Sequence, residues 1–174
     1  MDNKLDVLEN LKMADDFIQT MFPHITDVTF TVSGGASFIL KGCKNKVTLD
    51  IDSITPFDAS IRDYMESFSI NDSASEVTKL PASYKERVRT LKGFRILKVS
   101  LLSTEDLILS KLNRLSEDDL YDLFTTGIMD MVNLELLTNL AEELIDEYPP
   151  FESKWRYFNV ELVRRGYIWS KSIS

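Results

Sequence analysis

Two aspartates separated by one residue, Asp50-Ile51-Asp52, close a stretch in which apolar and polar residues alternate strictly. The alternation predicts a strand over 47–52, with Val47, Leu49 and Ile51 on one face and Thr48, Asp50 and Asp52 on the other. Two carboxylates that close repel unless a cation or proton lies between them. Mg²⁺ prefers carboxylate oxygens supplemented by substrate phosphates, so the pair reads as a candidate Mg–nucleotide site; the alternative is the polar, solvent-facing side of an edge strand. Upstream, Ser33-Gly34-Gly35-Ala36 falls between a strand and a helix. Glycines let backbone N–H groups approach phosphate oxygens, the other use of such a pair being a tight turn that needs positive φ. Strand, Gly-Gly, short helix, turn and paired-Asp strand, in that order, put a phosphate cradle beside a metal site.

The elements that must position these groups follow from the hydrophobic spacing. Asp2 or Asn3 caps a helix carrying Leu5, Leu8, Leu11, Met13, Phe17, Ile18 and Met21, which Phe22-Pro23 ends. Val28, Phe30 and Val32 predict a strand, and Ala36 to Lys41 a short helix closed by Gly42. A helix with Ile61, Tyr64, Met65 and Phe68 follows Pro56; residues 69–83 read as loop, with room for an irregular strand near Val77–Leu80. Phe94 to Leu102 predicts the last strand. Ser103-Thr104-Glu105-Asp106 and Ser116-Glu117-Asp118-Asp119 are helix-capping sequences, and the stripe Leu134, Leu137, Leu140, Leu144 and Ile145 and a segment from Glu152 to Arg165 complete a helical half. Trp155, Tyr157, Phe158, Tyr167 and Trp169 read as helix-packing anchors or, alternatively, a partner surface. The fold class is α/β (α+β): a small mixed sheet flanked by helices over 1–102, with a helical part over 103–174 packed on it as one unit.

Composition removes most alternatives. The chain has 174 residues, 20 Lys plus Arg against 28 Asp plus Glu, one His and one Cys. That length supports one domain, and the hydrophobic share of 44% supports a packed core. His24 alone makes no histidine cluster or Ser/Cys–His machinery, and Cys43 has no obvious activating base. A lone cysteine fits a reducing compartment, and with neither a signal-like start nor a run near the ~20 apolar residues of a membrane span the expected location is cytoplasmic, with no membrane partner. Net charge is −7 over residues 1–78, +6 over 79–104 and −7 over 105–174. An acidic chain is a poor general DNA binder. Its basic island, with Arg87, Arg89, Lys92 and Arg95, is expected to flank the cleft if it serves an anionic acceptor such as an RNA end; the other reading is a solvated loop and strand edge.

Taken together, Val32-Ser33-Gly34-Gly35-Ala36 and Thr48-Leu49-Asp50-Ile51-Asp52 resemble the motifs of the nucleotidyltransferase fold of the DNA polymerase β type. The resemblance is nearest to the minimal and AbiEii-like branch found in bacterial toxin–antitoxin and abortive-infection systems. Ser103 to Leu112 looks like that branch's lysine-bearing helix, and Asp119-Leu120-Tyr121-Asp122 like its Asp-x-x-Asp. The resemblance spans roughly residues 28–124. It implies Mg²⁺-dependent transfer of a nucleoside monophosphate from an NTP to a hydroxyl of RNA or protein, with an antitoxin protein as a further partner. Ser33, Gly34 and Gly35 would hold the triphosphate, and Asp50 and Asp52 would ligate Mg²⁺. Lys111 would contact phosphate as a catalytic and nucleotide-binding group, while Asp119 and Asp122 would shape the site. Many relatives carry a third carboxylate on a later strand, where this chain reads Arg95-Ile96-Leu97-Lys98-Val99-Ser100. AbiEii-like toxins carry basic residues just before Asp-x-x-Asp, where this chain has Ser116-Glu117-Asp118 and an off-register Arg114. These departures imply the alternative function, an inactive nucleotide-binding or protein-interaction module.

Overall fold

Asn3 starts the chain's longest helix by accepting the Asp6 amide, and α1 then runs Lys4–Met21 with Val7, Leu11, Ala14 and Ile18 buried at helical spacing. The computed structural model describes residues 1–167, so Trp169 lies outside the described residues. Strand β1 (Val28–Val32) leads into α2 (Gly34–Leu40), and β2 (Ile51–Asp52) precedes α3 (Ala59–Ser67). Strands β3 (Ile70–Asn71), β4 (Arg89–Thr90) and β5 (Leu97–Leu101) complete the α/β part. Helices α4 (Thr104–Arg114), α5 (Glu117–Thr125), α6 (Leu134–Glu147) and α7 (Glu152–Arg164) form the helical half.

Strand β5 lies between β1, its parallel neighbour, and β4, which is antiparallel to it. Strands β2 and β3 pair in parallel, and a single antiparallel bridge between Val32 and Ser53 joins them to β1. The bridge is reinforced by the Ser33 amide donating to the Asp52 carbonyl at 2.8 Å and the Ile54 amide to the Thr31 carbonyl at 3.0 Å. The mixed sheet with helices around it matches the predicted fold class. Asp15, fully buried on α1, ties that helix to the sheet by accepting the backbone amides of Arg95, Ile96 and Leu97, each at 2.8 Å. Burial opposes its ionisation, but those three donors hold the Asp15 carboxyl below its ordinary value.

Two hydrophobic cores result. One joins α1, α3 and the sheet through Phe30, Ile51, Met65, Ile70 and Val99; the other joins α4 to α7 through Leu107, Leu112, Leu123, Leu140 and Phe158. Phe38 of α2 and Leu102 after β5 belong to the second core, so α2 contributes to both. The expected strand over 47–52 is shorter than its alternation implies. Only Ile51 and Asp52 pair, and Leu49 is 88% exposed. The Thr48 hydroxyl donates to the Asp50 carbonyl at 3.0 Å, a local turn that displaces ladder pairing. The reading of 69–83 as loop misses β3, whose two residues offer too short a pattern to detect.

Candidate active site

The end of β1 and the start of β2 meet where the Gly-Gly turn stands. Gly34 has φ +59°, and a Cβ placed on it would lie 1.9 Å from Asp52 Oδ2. A Cβ on Gly35 would lie 2.7 Å from Thr48 Oγ1 and 3.1 Å from Lys46 Cε. Neither position accepts a side chain, for backbone conformation and space at Gly34 and for space at Gly35. Both glycines, with buried Ser33, line a cleft of about 520 Å³ whose other walls include Asp52, Lys111 and Asp119.

Asp52 faces this cleft and Asp50 stands behind it. Asp50 Oδ2 accepts from Asn71 Nδ2 at 3.0 Å, and its Oδ1 lies 3.4 Å from Thr48 Oγ1. Burial, and then the charge of Asp50, push the Asp52 carboxyl above its ordinary value, against the opposing influence of Asn71, Lys111 and Arg114. Asp50 and Asp52 enter no ion pair among the described residues. Two adjacent carboxylates beside a hydroxyl and an amide are hard oxygen donors, which suit Mg²⁺. Among the described residues no group of three or more His, Cys, Asp or Glu gathers to hold a metal. Two carboxylates alone would leave most of such an ion's coordination to substrate phosphate and water.

The opposite wall is built from the junction of α4 and α5. Ser116 caps α5 in a reciprocal capping box with Asp119, so the Asp119 carboxylate is fixed at the first turn. Arg114, on the last turn of α4, donates to Asp119 through Nε at 2.7 Å and Nη2 at 2.6 Å. Lys111 Nζ lies 3.0 Å from Asp119 Oδ1 and 3.0 Å from Asp122 Oδ2, and 5.5 Å above the Phe38 ring. Burial alone would raise the Asp119 carboxyl, but the Arg114, Lys111 and Ser116 contacts overcome it and hold that carboxyl far below the usual range. Lys46, from the segment before β2, crosses to Asp122 Oδ2 at 2.6 Å.

Of the residues expected at the site, Ser33, Gly34, Gly35, Asp52, Lys111 and Asp119 line the cleft. Asp50 and Asp122 lie one layer behind, each bonded to a residue that does line it or to Asn71. Arg114 is a cleft residue despite its offset in sequence, because the α4–α5 turn folds it back onto Asp119. Thr48 lines the cleft from the face that it was expected to share with Asp50 and Asp52, and Lys46, to which the sequence assigned no role, lines it too. The basic island does not flank the cleft: Arg87, Arg89, Lys92 and Arg95 are absent from its walls. Arg87 is instead clamped on buried Asp106 by Nε at 2.9 Å and Nη2 at 2.8 Å, and Arg95 Nη1 donates to Gln19 at 2.6 Å. Arg89, Lys92 and Arg95 are exposed, as the solvated reading expects, whereas Arg87 is neither solvated nor at the cleft.

No helix of the described residues is long and apolar enough to cross a membrane. Comparison with curated proteins and with solved structures yields no significant match. A family model described as a nucleotidyltransferase of unknown function (DUF6036) matches residues 9–172, which takes in both walls of the cleft. The chain belongs to that nucleotidyltransferase family.

Proposed function

We propose that this chain transfers a nucleoside monophosphate from an NTP to a hydroxyl of RNA or protein, with Mg²⁺ held at Asp50 and Asp52. The observation that carries this reading is the contact between the two motifs, with Gly34 so close to Asp52 that a Cβ would lie 1.9 Å from its Oδ2. A triphosphate lying along Gly34 and Gly35 would then run beside the carboxylate pair. In-line attack at an α-phosphate asks mainly for positioning and charge neutralisation. Bound Mg²⁺ would supply Lewis-acid neutralisation of the phosphate oxygens. Gly34 and Gly35 supply a floor without side chains, beside buried Ser33. Asp50, oriented by Asn71 and Thr48, steadies the donor set behind Asp52. Lys111, Arg114, Asp119 and Asp122 form a rigid opposite wall that fixes the width of the cleft.

The test is transfer of label from α-³²P NTPs to RNA or protein, expected to vanish on chelation of Mg²⁺ and in Asp50→Asn/Asp52→Asn. The toxin or defence role belongs to the same proposal, and a small DNA-binding protein encoded beside this one would support it. One observation favours a second reading, a nucleotide-binding module without turnover: β5 presents Lys98 and Ser100 but no acid. A protein that binds NTP and never transfers label would establish that reading instead.

A further inference from the structure

Three cations stand on two carboxylates along the helical wall: Lys46, Lys111 and Arg114 on Asp119 and Asp122. They are not equally committed. Arg114 grips Asp119 through two donors, and Lys111 bridges Asp119 and Asp122. Removing Arg114 takes two donors from Asp119, and removing Lys111 takes one from each carboxylate. Lys46 has Asp122 alone, and it shares a single oxygen, Oδ2, with Lys111. Two ammonium groups on one oxygen repel each other, so Lys46 is the cation whose departure costs the wall least. Its stem already lies over the glycine turn, with Cε 3.1 Å from where a Gly35 Cβ would be. It is carried by the segment between α2 and β2, while Asp122, Lys111 and Arg114 belong to α4 and α5.

Resting on the NTP reading of the cleft, we infer that Lys46 is the principal cationic ligand of the triphosphate. It exchanges Asp122 for phosphate oxygens as the nucleotide enters, and Lys111 stays behind to keep Asp122 and Asp119 paired. Lys46 is thus a substrate-binding residue, and Lys111, to which the phosphate contact was first ascribed, is a positioning residue. A charge-assisted hydrogen bond to phosphate in a half-buried cleft would be stronger than a rim contact.

The experiment is calorimetric titration of Mg²⁺-tripolyphosphate, and separately of Mg²⁺-NTP, into the wild type, K46M, K46Q and K111M, with the melting temperature of each free protein. K46M and K46Q are expected to weaken tripolyphosphate binding by about tenfold to a hundredfold, the range for a hydrogen bond to a charged group. Their free melting temperatures should stay within about 2 °C of the wild type, whereas K111M should melt several degrees lower. Lys46 variants that bind within twofold of the wild type would overturn the inference while leaving the NTP site standing. Lys46 variants that melt as low as K111M would also overturn it, by making Lys46 a strut. A wild type that binds neither tripolyphosphate nor any NTP would remove the parent reading and this inference together.

Discussion

On the helical side of the cleft, Asp119 and Asp122 meet three cations within ion-pair distance; on the sheet side, Asp50 and Asp52 meet none among the described residues. The first wall is electrostatically complete without a ligand. The Asp119 carboxylate is held ionised by fixed donors and also closes the N-terminus of α5. The second wall keeps two carboxylates close together with only an amide and a hydroxyl against Asp50, and burial works against the charge of Asp52. A ligand's positive charge is therefore better placed at the sheet wall than at the helical wall. A cation placed at the sheet wall relieves repulsion and desolvation, whereas one placed at the helical wall finds its partners taken.

Breaking the completed wall should cost most. Asp119→Ala takes the carboxylate from exposed Arg114, leaves Lys111 on Asp122 alone and breaks the Asp119 half of the α5 capping box, and should lower stability by about 2–4 kcal/mol, the range for lost hydrogen bonds to a charged group and a weakened cap. In a chain of this size that is a fall of roughly 4–16 °C in melting temperature by calorimetry. Gly34→Ala comes next. Positive φ and the collision with Asp52 should cost about 1–3 kcal/mol and push the carboxylate out of place. NTP binding, read by thermal shift, should be lost even where the protein still folds.

The two walls should also answer pH with opposite signs. Asp119 has a depressed value in the folded state, so its stabilisation is complete above the unfolded value of about 4 and is lost as pH falls below it. Asp52 has a raised value, so in the window upward from about 4 the folded state holds more proton than the unfolded state. Stability there falls as pH rises. Urea unfolding across pH should show that Asp119→Asn flattens the acid limb and Asp52→Asn the limb above it. The smallest effect is that of Asp50→Asn/Asp52→Asn on the free protein at neutral pH. It should gain about 1–3 °C, as expected for relief of a like-charge pair worth under about 1 kcal/mol.

The same contrast separates what could be read from the sequence from what could not. Ser103 and Ser116 mark their helices because a cap and its acceptor lie three residues apart, so α4 and α5 and the placement of Lys111 and Asp119 were legible. Gly34-Gly35 and Asp50-Ile51-Asp52 were legible for the same reason, since their chemistry is local. Lys46 was not, because what makes it a site residue is Asp122, 76 residues away. Arg114 was misjudged because linear register says nothing of a turn that folds α4 back on α5. The basic island shows the reverse error: Arg87 looked free in a run of cations, while its partner, Asp106, waited at the head of α4. Leu49 failed too, since alternation marks what could be buried and only packing decides what is.

If the sheet wall is the unfinished half of an Mg–nucleotide site, calorimetric melting with Mg²⁺ and each of the four NTPs will show it. At a hundredfold excess over Kd, a ligand bound only by the folded state adds about 2.7 kcal/mol. In this chain that is a rise of roughly 5–10 °C for the wild type with at least one NTP, and no rise for Asp50→Asn/Asp52→Asn. An equal rise in the double variant, or none in the wild type with any NTP, would contradict it.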